Sequence, residues 1–179
     1  PWRADTDGDG LTDYQERPLA YGGYGTNATV ADTDSDGLSD YEEVFPGQDG
    51  YTTNPRLADT DTDGLSDGAE FLHGTSPVAI DTDGDGLGDF LELFTYGTDP
   101  RLADTDADGI NDWGEIQVYG TDPLLVDTDG DALFDGEEIT AGWDGFQTNP
   151  LDPDTDNDGV SDGHEADLGT NPLQADSDG

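Results

Sequence analysis

Apolar residues are sparse along this chain, but they recur at fixed distances from short aspartate-rich segments. One apolar residue lies within each segment: Leu11, Leu38, Leu65, Leu87, Ile110, Leu133 and Val160. Another follows five of the segments: Val44, Phe71, Leu93, Ile116 and Ile139. The connectors between segments add Leu57, Leu102, Leu124, Leu151 and Leu173. This spacing predicts a thin apolar seam between neighbouring repeats and no central core.

The aspartate-rich segments are copies of one motif, which we number from position 1 to position 12. The first copy reads DTDGDGLTDYQE and the last complete copy reads DTDNDGVSDGHE. Complete copies occupy residues 5–16, 32–43, 59–70, 81–92, 104–115, 127–138 and 154–165, and a partial eighth begins at residue 176. Such self-similarity predicts one continuous repeat array over residues 1–179. Because the sequence starts within a connector and stops within the eighth copy, we expect a segment of a longer protein.

A short helix is predicted to begin at position 9 of each copy. Aspartate at position 9 and glutamate at position 12 match a helix capping box with the aspartate as N-cap. The helix would run for about two turns, as over 89–96 and 112–119, while Pro18 and Pro46 shorten the first two helices. Because so short a helix is unstable alone, we expect mostly loops with short two-turn helices, little or no sheet, and an elongated, solenoid-like rod.

The connectors carry a second signature, such as GTDPRLAD from Gly97 and GTNPLQAD from Gly169. Glycine in this place suits the left-handed residue that ends a helix. The three longer repeats add a glycine–aromatic insert at 22–24, 49–51 and 144–146. We interpret these inserts as ordered surface turns, and the alternative is a ligand-binding or lateral-contact loop.

Composition and charge limit the partners that this protein can bind and the conditions under which it can fold. Of 179 residues, 45 are acidic and four are basic, and the formal net charge is −41. A compact chain of this charge repels itself unless counter-ions belong to the fold. The scarcity of basic residues excludes nucleic acid as a partner and argues against binding to anionic membrane surfaces. The sequence has no apolar run of about 20 residues that would span a membrane, and it has no cysteine to form a disulfide.

We expect no enzymatic activity. His73 and His164 are the only histidines in the sequence, and no serine or cysteine nucleophile pattern surrounds them. Paired aspartates suit acid–base catalysis, but here the same pairs recur in every copy.

The carboxylates of the motif have the spacing of a calcium-binding loop. They occupy positions 1, 3, 5, 9 and 12, with glycine usually at position 6, as in an EF-hand loop. We predict that position 7 supplies a backbone carbonyl, that position 9 binds directly or through water, and that position 12 binds through both oxygens, which favours calcium over magnesium. Carboxylates without cysteine or histidine disfavour zinc and copper. The sequence therefore predicts about one calcium ion per loop, seven or more in all.

The candidate metal ligands share these six positions in every copy. They are Asp5, Asp7, Asp9, Leu11, Asp13, Glu16, Asp32, Asp34, Asp36, Leu38, Asp40, Glu43, Asp59, Asp61, Asp63, Leu65, Asp67, Glu70, Asp81, Asp83, Asp85, Leu87, Asp89, Glu92, Asp104, Asp106, Asp108, Ile110, Asp112, Glu115, Asp127, Asp129, Asp131, Leu133, Asp135, Glu138, Asp154, Asp156, Asp158, Val160, Asp162 and Glu165, with Asp176 and Asp178 from the partial copy. Asp99 and Asp122, in the connectors, are candidates for further ions shared between loops.

Three other features carry separate predictions. Ala132 replaces glycine at position 6 of the sixth copy, and a positive φ there would cost about 1 kcal/mol, so we predict that this site is the weakest. Asn27 begins an N-glycosylation sequon and is a candidate glycosylation site. Threonine occupies position 2 of every complete copy, which we interpret as a turn-stabilising hydroxyl, with O-glycosylation as the alternative.

The copies resemble thrombospondin type 3 repeats, and their spacing is similar to that of EF-hand and dockerin loops. The resemblance covers nearly the whole chain, at positions 1, 3, 5, 6, 9 and 12. It implies calcium-organised repeats in a secreted or surface protein. Animal members of the family carry disulfides between repeats. This cysteine-free chain, with glutamate at position 12, is more similar to the repeats of bacterial and archaeal surface proteins, which often serve as spacers or stalks.

These observations predict an extracellular or cell-surface structural segment, such as a stalk, spacer or fibre component, that calcium makes rigid. Its partners would be calcium ions and neighbouring repeats of the same or identical chains, with self-assembly into fibres. The alternative is a calcium-dependent adhesion or docking module that binds a protein or glycan through Trp113, Trp143, Tyr24, Tyr51 and Phe146. A calcium buffer is a third hypothesis, but ordered connectors are more than a buffer requires.

Overall fold

The structure, a computed structural model, describes residues 4–47 and 50–175. Within these ranges it contains short helices joined by loops and no β-strand. An α-helix begins at position 9 of every complete copy: α1 Asp13–Glu16, α2 Asp40–Val44, α3 Asp67–His73, α4 Asp89–Leu91, α5 Asp112–Gly114, α6 Asp135–Thr140 and α7 Asp162–Leu168. None of the helices in the described ranges is long and apolar enough to cross a membrane. The predicted class, a loop-rich repeat fold with short helices, is confirmed.

The length of each helix depends on the residues that end it. α3 and α7 have seven residues each and stop before left-handed glycines, Gly74 and Gly169. α1 and α2 have only four and five residues, in keeping with the prolines that follow them. α4 and α5 continue as π-helical turns, Glu92–Tyr96 and Glu115–Tyr119. A 3-10 turn, Leu19–Tyr21, precedes the first insert. The predicted length of two α-helical turns is therefore reached only in some copies, such as those of α3 and α7.

The N-cap of each helix is the residue at position 8, so the predicted aspartate cap was wrong by one residue. Ser39 accepts a hydrogen bond from the Glu42 backbone N–H at 3.3 Å. Ser66 accepts one from the Ala69 N–H at 3.2 Å. The aspartate at position 9 is already helical, which leaves its carboxylate free for another partner.

That partner is the threonine at position 2 of the same loop. In the fifth copy, Thr105 donates its backbone N–H to Asp112 Oδ1 at 2.8 Å and its hydroxyl to Asp112 Oδ2 at 2.6 Å. The Thr105 hydroxyl oxygen also accepts the N–H of Asp99, in the connector before it, at 3.0 Å. The hydroxyl–aspartate bond recurs in all seven complete copies. The threonine is therefore structural, and a glycan on its oxygen would remove the proton that this bond uses.

Each loop is closed by its own backbone and by the aspartate at position 1. In the fifth copy, the Asp112 N–H donates to the Ala103 carbonyl at 3.1 Å. The Asp104 carboxylate accepts from the N–H groups of Ala107 at 2.8 Å and Gly109 at 3.1 Å. Positions 4 and 6 are both left-handed, with φ of 65° at Ala107 and 106° at Gly109. The sequence reveals this conformation only at position 6, because position 4 is not glycine in four copies.

The interior of each repeat consists mainly of carboxylates around one apolar side chain. The residue at position 7 is buried in the first six copies, and Val160 is half-buried in the seventh. Apart from Leu11, the largest fully buried side chains are the acids Glu16, Glu43, Glu70, Glu92, Glu115, Glu138, Asp40, Asp67, Asp89, Asp112 and Asp135. The connector leucines are 43–50% exposed, so their predicted place in the seam was wrong. They follow the connector turn and face solvent.

Consecutive copies meet between position 10 of one copy and positions 5 and 6 of the copy before it. A Cβ atom on Gly10 would lie 3.1 Å from the Tyr41 ring, and one on Gly86 would lie 3.4 Å from the Trp113 ring. At four junctions the N–H at position 10 also donates to the aspartate at position 5 of the preceding copy, as Gly136 does to Asp108 at 2.9 Å. In the first, third and fourth copies, glycine at position 6 therefore provides room for an aromatic neighbour as well as a turn.

The chain groups into two compact units. One comprises Pro1–Thr82 and Gly88–Thr95, and the other comprises Asp83–Leu87 and Tyr96–Gly179. The division falls within the fourth copy. A single continuous array over residues 1–179 stays a prediction.

Replacing Thr105 tests whether its hydroxyl links connector, loop and helix. We expect Thr105→Val to lower the free energy of unfolding in calcium by about 1–3 kcal/mol, because Asp112 loses a donor and the Asp99 N–H loses its acceptor. Urea unfolding followed by circular dichroism measures this change. The control, Thr105→Ser, keeps the hydroxyl and should remain close to the unaltered chain. Equal unfolding of the valine and serine variants would contradict the hydrogen-bonding role.

Candidate metal centres

The aspartates at positions 1, 3 and 5 converge at one point of the loop. Asp5, Asp7 and Asp9 each place a carboxylate oxygen within 4.8 Å of the other two. The second and third copies show the same triad, formed by Asp32, Asp34 and Asp36 and by Asp59, Asp61 and Asp63. Three of the ligands predicted for each of these loops thus lie together.

The glutamate at position 12 presents a buried oxygen that no protein group satisfies. In the fifth copy Glu115 is 0% exposed and its Oε2 has no hydrogen-bond partner. Asp106 Oδ2, from position 3 of the same loop, is also buried and unpartnered. The same holds for one or both oxygens of Glu16, Glu43, Glu70, Glu138, Glu165, Asp7, Asp34, Asp61, Asp129 and Asp156. Buried carboxylate oxygens of this kind destabilise a fold unless a cation or a proton binds them.

A second group of carboxylates joins neighbouring copies. Asp9 and Glu16, from positions 5 and 12 of the first copy, lie within 4.8 Å of Asp40, from position 9 of the second copy. The next junction repeats this arrangement with Asp36, Glu43 and Asp67. The carboxylate at position 5 therefore belongs to both kinds of group. The carboxylate at position 9, predicted to serve its own loop, also joins the group of the preceding loop.

Burial raises the pKa of the glutamates in these groups. It raises the pKa of Glu70 to about 9, and repulsion from Asp61 and Asp63 adds to the effect. Burial likewise raises the pKa of Glu43 to about 8 and that of Glu115 to about 8, again with repulsion from aspartates of the same loop. A divalent cation would reverse this effect by stabilising the ionised carboxylates.

The donor set fits a hard cation such as calcium. Every side-chain atom that could bind a metal ion in the groups described above is a carboxylate oxygen. Such ligands suit calcium and magnesium and not zinc or copper. Protein cations do not neutralise these groups. Across residues 4–47 and 50–175 the one ion pair joins Arg101 to Asp99, at 3.0 Å on the surface. The loops would thus hold the ion through positions 1, 3, 5 and 12, and the ion would supply the missing positive charge.

The remaining predicted site residues have less direct support. At position 7 the side chain packs inward and the N–H donates to the aspartate at position 5, as Ile110 does to Asp108 at 2.7 Å, so the carbonyl ligand stays a prediction. Asp176 and Asp178 lie outside the described residues. Asn27 is exposed and its Oδ1 accepts from the Thr29 hydroxyl at 2.9 Å, and its glycosylation stays a prediction. Asp99 is paired with Arg101.

The sequence interpretation missed one class of residue beside the glutamates, the connector threonines. Thr148, for example, donates its hydroxyl to Glu138 Oε1 at 2.9 Å. Their signal was available, since a threonine follows the helix in every one of the seven connectors.

The raised pKa values predict that the stability of the fold changes with pH in opposite directions with and without calcium. A carboxyl group whose pKa is raised in the fold stabilises it fully below its ordinary pKa of about 4.3, and this stabilisation is lost as the pH rises toward the raised value. In the metal-free chain, Glu43, Glu70 and Glu115 lose this stabilisation as the pH rises to about 8–9. Helical circular dichroism of the chelated, desalted chain should therefore be stronger near pH 5 than near pH 8. With calcium present, acid should weaken the fold, because protons compete for the same oxygens. The same trend in both conditions would refute this prediction.

The sixth loop is predicted to bind its ion most weakly, and its backbone supports the reason. Ala132 has a φ of 81°, a conformation that disfavours a side chain by about 1 kcal/mol. We expect Ala132→Gly to strengthen binding at that loop by about fivefold. Calcium titration followed by NMR, reading backbone amides loop by loop, measures the effect.

Gly109→Ala is the matched reverse change in the fifth loop. A Cβ on Gly109 would meet nothing within 4 Å, so only backbone strain should act, and binding there should weaken by a similar factor. If Gly109→Ala leaves binding at the fifth loop unchanged, the strain explanation fails.

Comparisons with known proteins place these centres in context. A search of curated proteins found no match. A solved structure titled Biofilm associated protein, B domain, is 44% identical over 25% of this chain and 11% of its own, with a TM-score of 0.25. The BSP domain of a Biofilm associated protein is 45% identical over 25% of this chain and 8% of its own, with a TM-score of 0.24. The similarity thus covers only short stretches of both structures.

A family model described as the bacterial TSP3 repeat matches the chain at six places. The matched residues are 5–17, 32–47, 59–78, 81–101, 104–125 and 154–175, which make up more than half of the chain. Each match begins at position 1 of a complete copy and contains its candidate ligands. The copy without a match, 127–138, is the one with Ala132. The chain therefore belongs to the bacterial TSP3 repeat family.

Proposed function

We propose that this chain is a calcium-binding structural segment of an extracellular or cell-surface protein, a stalk, spacer or fibre component that calcium makes rigid. Its family membership and its repeated acidic centres support a structural repeat. We propose no catalytic role for the two histidines, which both lie within the described residues. His164 is exposed on α7, and His73 ends α3 with its ring edge against Phe94.

The observation that carries the proposal is the set of buried carboxylate oxygens without a protein donor. They lie at positions 3 and 12 in copy after copy, and no basic side chain within residues 4–47 and 50–175 forms an ion pair with them. A protein that buries so many acids needs a cation as part of its fold. Extracellular calcium modules bind at about 10⁻⁴–10⁻³ M, so a segment of this kind would be saturated only where calcium is abundant.

The carboxylate groups that join two copies support the rigidity. An ion held by Asp9, Glu16 and Asp40 would bind two consecutive copies at once and fix one against the other. Because these groups share the residue at position 5 with the loop centres, we propose that the chain binds seven or more ions, with some ions shared by neighbouring copies. Contacts between identical chains, and fibre assembly, extend the same proposal.

A calcium-dependent adhesion or docking module is the alternative, and exposed aromatic residues favour it. Trp143 is 62% exposed and Trp113 is 41% exposed. Tyr24, Tyr51 and Phe146, in the inserts, are only half-buried. A protein or glycan partner would contact these rings, since aromatic side chains are enriched at interfaces. Retention of the chain by a surface ligand only in calcium would favour this alternative over a passive spacer.

Calcium titration by calorimetry and native mass spectrometry tests the proposed function. We expect binding of seven or more ions to the unaltered chain, with magnesium unable to replace calcium at equal concentration. Glu115→Gln should remove about one ion, because position 12 supplies a required ligand charge. Asp167→Asn is the control, since it removes one negative charge from an exposed position of α7 and should leave the number of ions unchanged. Equal binding losses in the two variants would show diffuse counter-ion attraction and contradict specific sites.

A further inference from the structure

The connectors contain seven threonines, and each lies six residues before position 1 of the next copy. In five of them the hydroxyl donates to Oε1 of the glutamate at position 12. The pairs are Thr26 with Glu16 at 3.4 Å, Thr53 with Glu43 at 3.1 Å, Thr121 with Glu115 at 3.2 Å, Thr148 with Glu138 at 2.9 Å and Thr170 with Glu165 at 3.3 Å.

These pairs form across connectors of different length. The two residues are 10 apart in the long repeats, as in Thr53 and Glu43, and six or five apart in the short ones, as in Thr121 and Glu115. Backbone bonds support the approach, since the Thr53 N–H donates to the Glu43 carbonyl at 2.9 Å. The contact therefore forms with and without the inserted residues and does not depend on one connector length.

The hydrogen bond involves only one of the two carboxylate oxygens of the glutamate. In the fifth copy, Thr121 satisfies Glu115 Oε1, whereas Glu115 Oε2 is buried without a partner. Both residues are buried, at 6% and 0% exposure. A hydroxyl fixed beside one oxygen limits the rotation of the carboxylate and leaves the other oxygen available to a cation.

We propose that the connector threonine is a positioning residue for calcium, which acts by holding the glutamate at position 12 with Oε2 toward the ion. The proposal rests on the calcium-binding function above and assigns a role to a residue outside the 12-residue motif. Groups that orient a metal ligand without touching the metal typically change affinity by about 10–100-fold when they are removed. We therefore expect Thr121→Val to weaken calcium binding at the fifth loop by about tenfold or more.

The third copy provides an internal control. Thr75 occupies the equivalent connector place and is 3% exposed, but its hydroxyl has no partner and neither oxygen of Glu70 has one. Thr75→Val replaces a hydroxyl by a methyl group in the same surroundings, but it breaks no hydrogen bond to the glutamate. It should change binding at the third loop much less than Thr121→Val changes binding at the fifth.

Calcium titration of the nitrogen-labelled full chain, followed by NMR, tests the proposal loop by loop. The amides of Gly64, Gly109 and Gly130 report the third, fifth and sixth loops. Thr121→Val should shift the filling midpoint of Gly109 upward and leave Gly64 in place, and Thr121→Ser should restore the midpoint. Thermal unfolding in saturating calcium serves as the check that the variant is folded.

The outcomes separate this proposal from the proposed function. If Gly109 of the unaltered chain does not respond to calcium at all, the calcium function fails first. If it responds but Thr121→Val has the same midpoint, the positioning role alone is overturned. An equal shift at Gly109 and Gly130, or equal losses in the Thr75 and Thr121 variants, would show a general loosening of the connector and would also overturn it.

Discussion

Burial of carboxylates without protein counter-charges is the constraint on which the rest of this structure depends. Glu70, Glu115 and Glu138 are 0% exposed, in a chain of net charge −41 with four basic residues. Hydrophobic burial cannot offset this repulsion, since each copy encloses little more than one apolar side chain at position 7. A cation bound in each loop would therefore stabilise the fold as a hydrophobic core does in an ordinary domain.

The hydrogen bonds of the loop assign a separate task to each acidic position. The aspartate at position 1 binds backbone N–H groups and closes the loop, as Asp104 does. The aspartate at position 9 is held by threonine and leads into the helix, as Asp112 does. Positions 3 and 12 keep oxygens free of protein donors, as at Asp106 and Glu115. The motif thus combines carboxylates that protein hydrogen bonds satisfy with carboxylate oxygens that have no protein donor, and a metal ion bound in the loop would satisfy the latter.

Sequence periodicity predicted the loop-rich class, the start of every helix and the convergence of positions 1, 3 and 5, because these depend on local spacing alone. It placed the N-cap one residue late, since the pattern does not show that position 9 is bonded to threonine. It misplaced connector leucines such as Leu102, 50% exposed, because apolar character does not reveal which side of a turn faces solvent. The carboxylate groups between copies, such as Asp9 with Asp40, depend on how neighbouring repeats pack, which spacing within one motif does not encode. The left-handed backbone at Ala107 was hidden because its residue type is ordinary.

The central claim, that calcium organises this fold, is tested most directly by far-ultraviolet circular dichroism and small-angle X-ray scattering of one sample at a pH of about 9, in millimolar calcium and then in excess chelator. The account predicts helical, ordered scattering in calcium, followed by loss of helix and a clear increase in the radius of gyration when calcium is removed, both reversed when it is restored. Unchanged spectra and an unchanged radius of gyration after chelation would contradict it, because the buried carboxylates would then be tolerated without a metal ion.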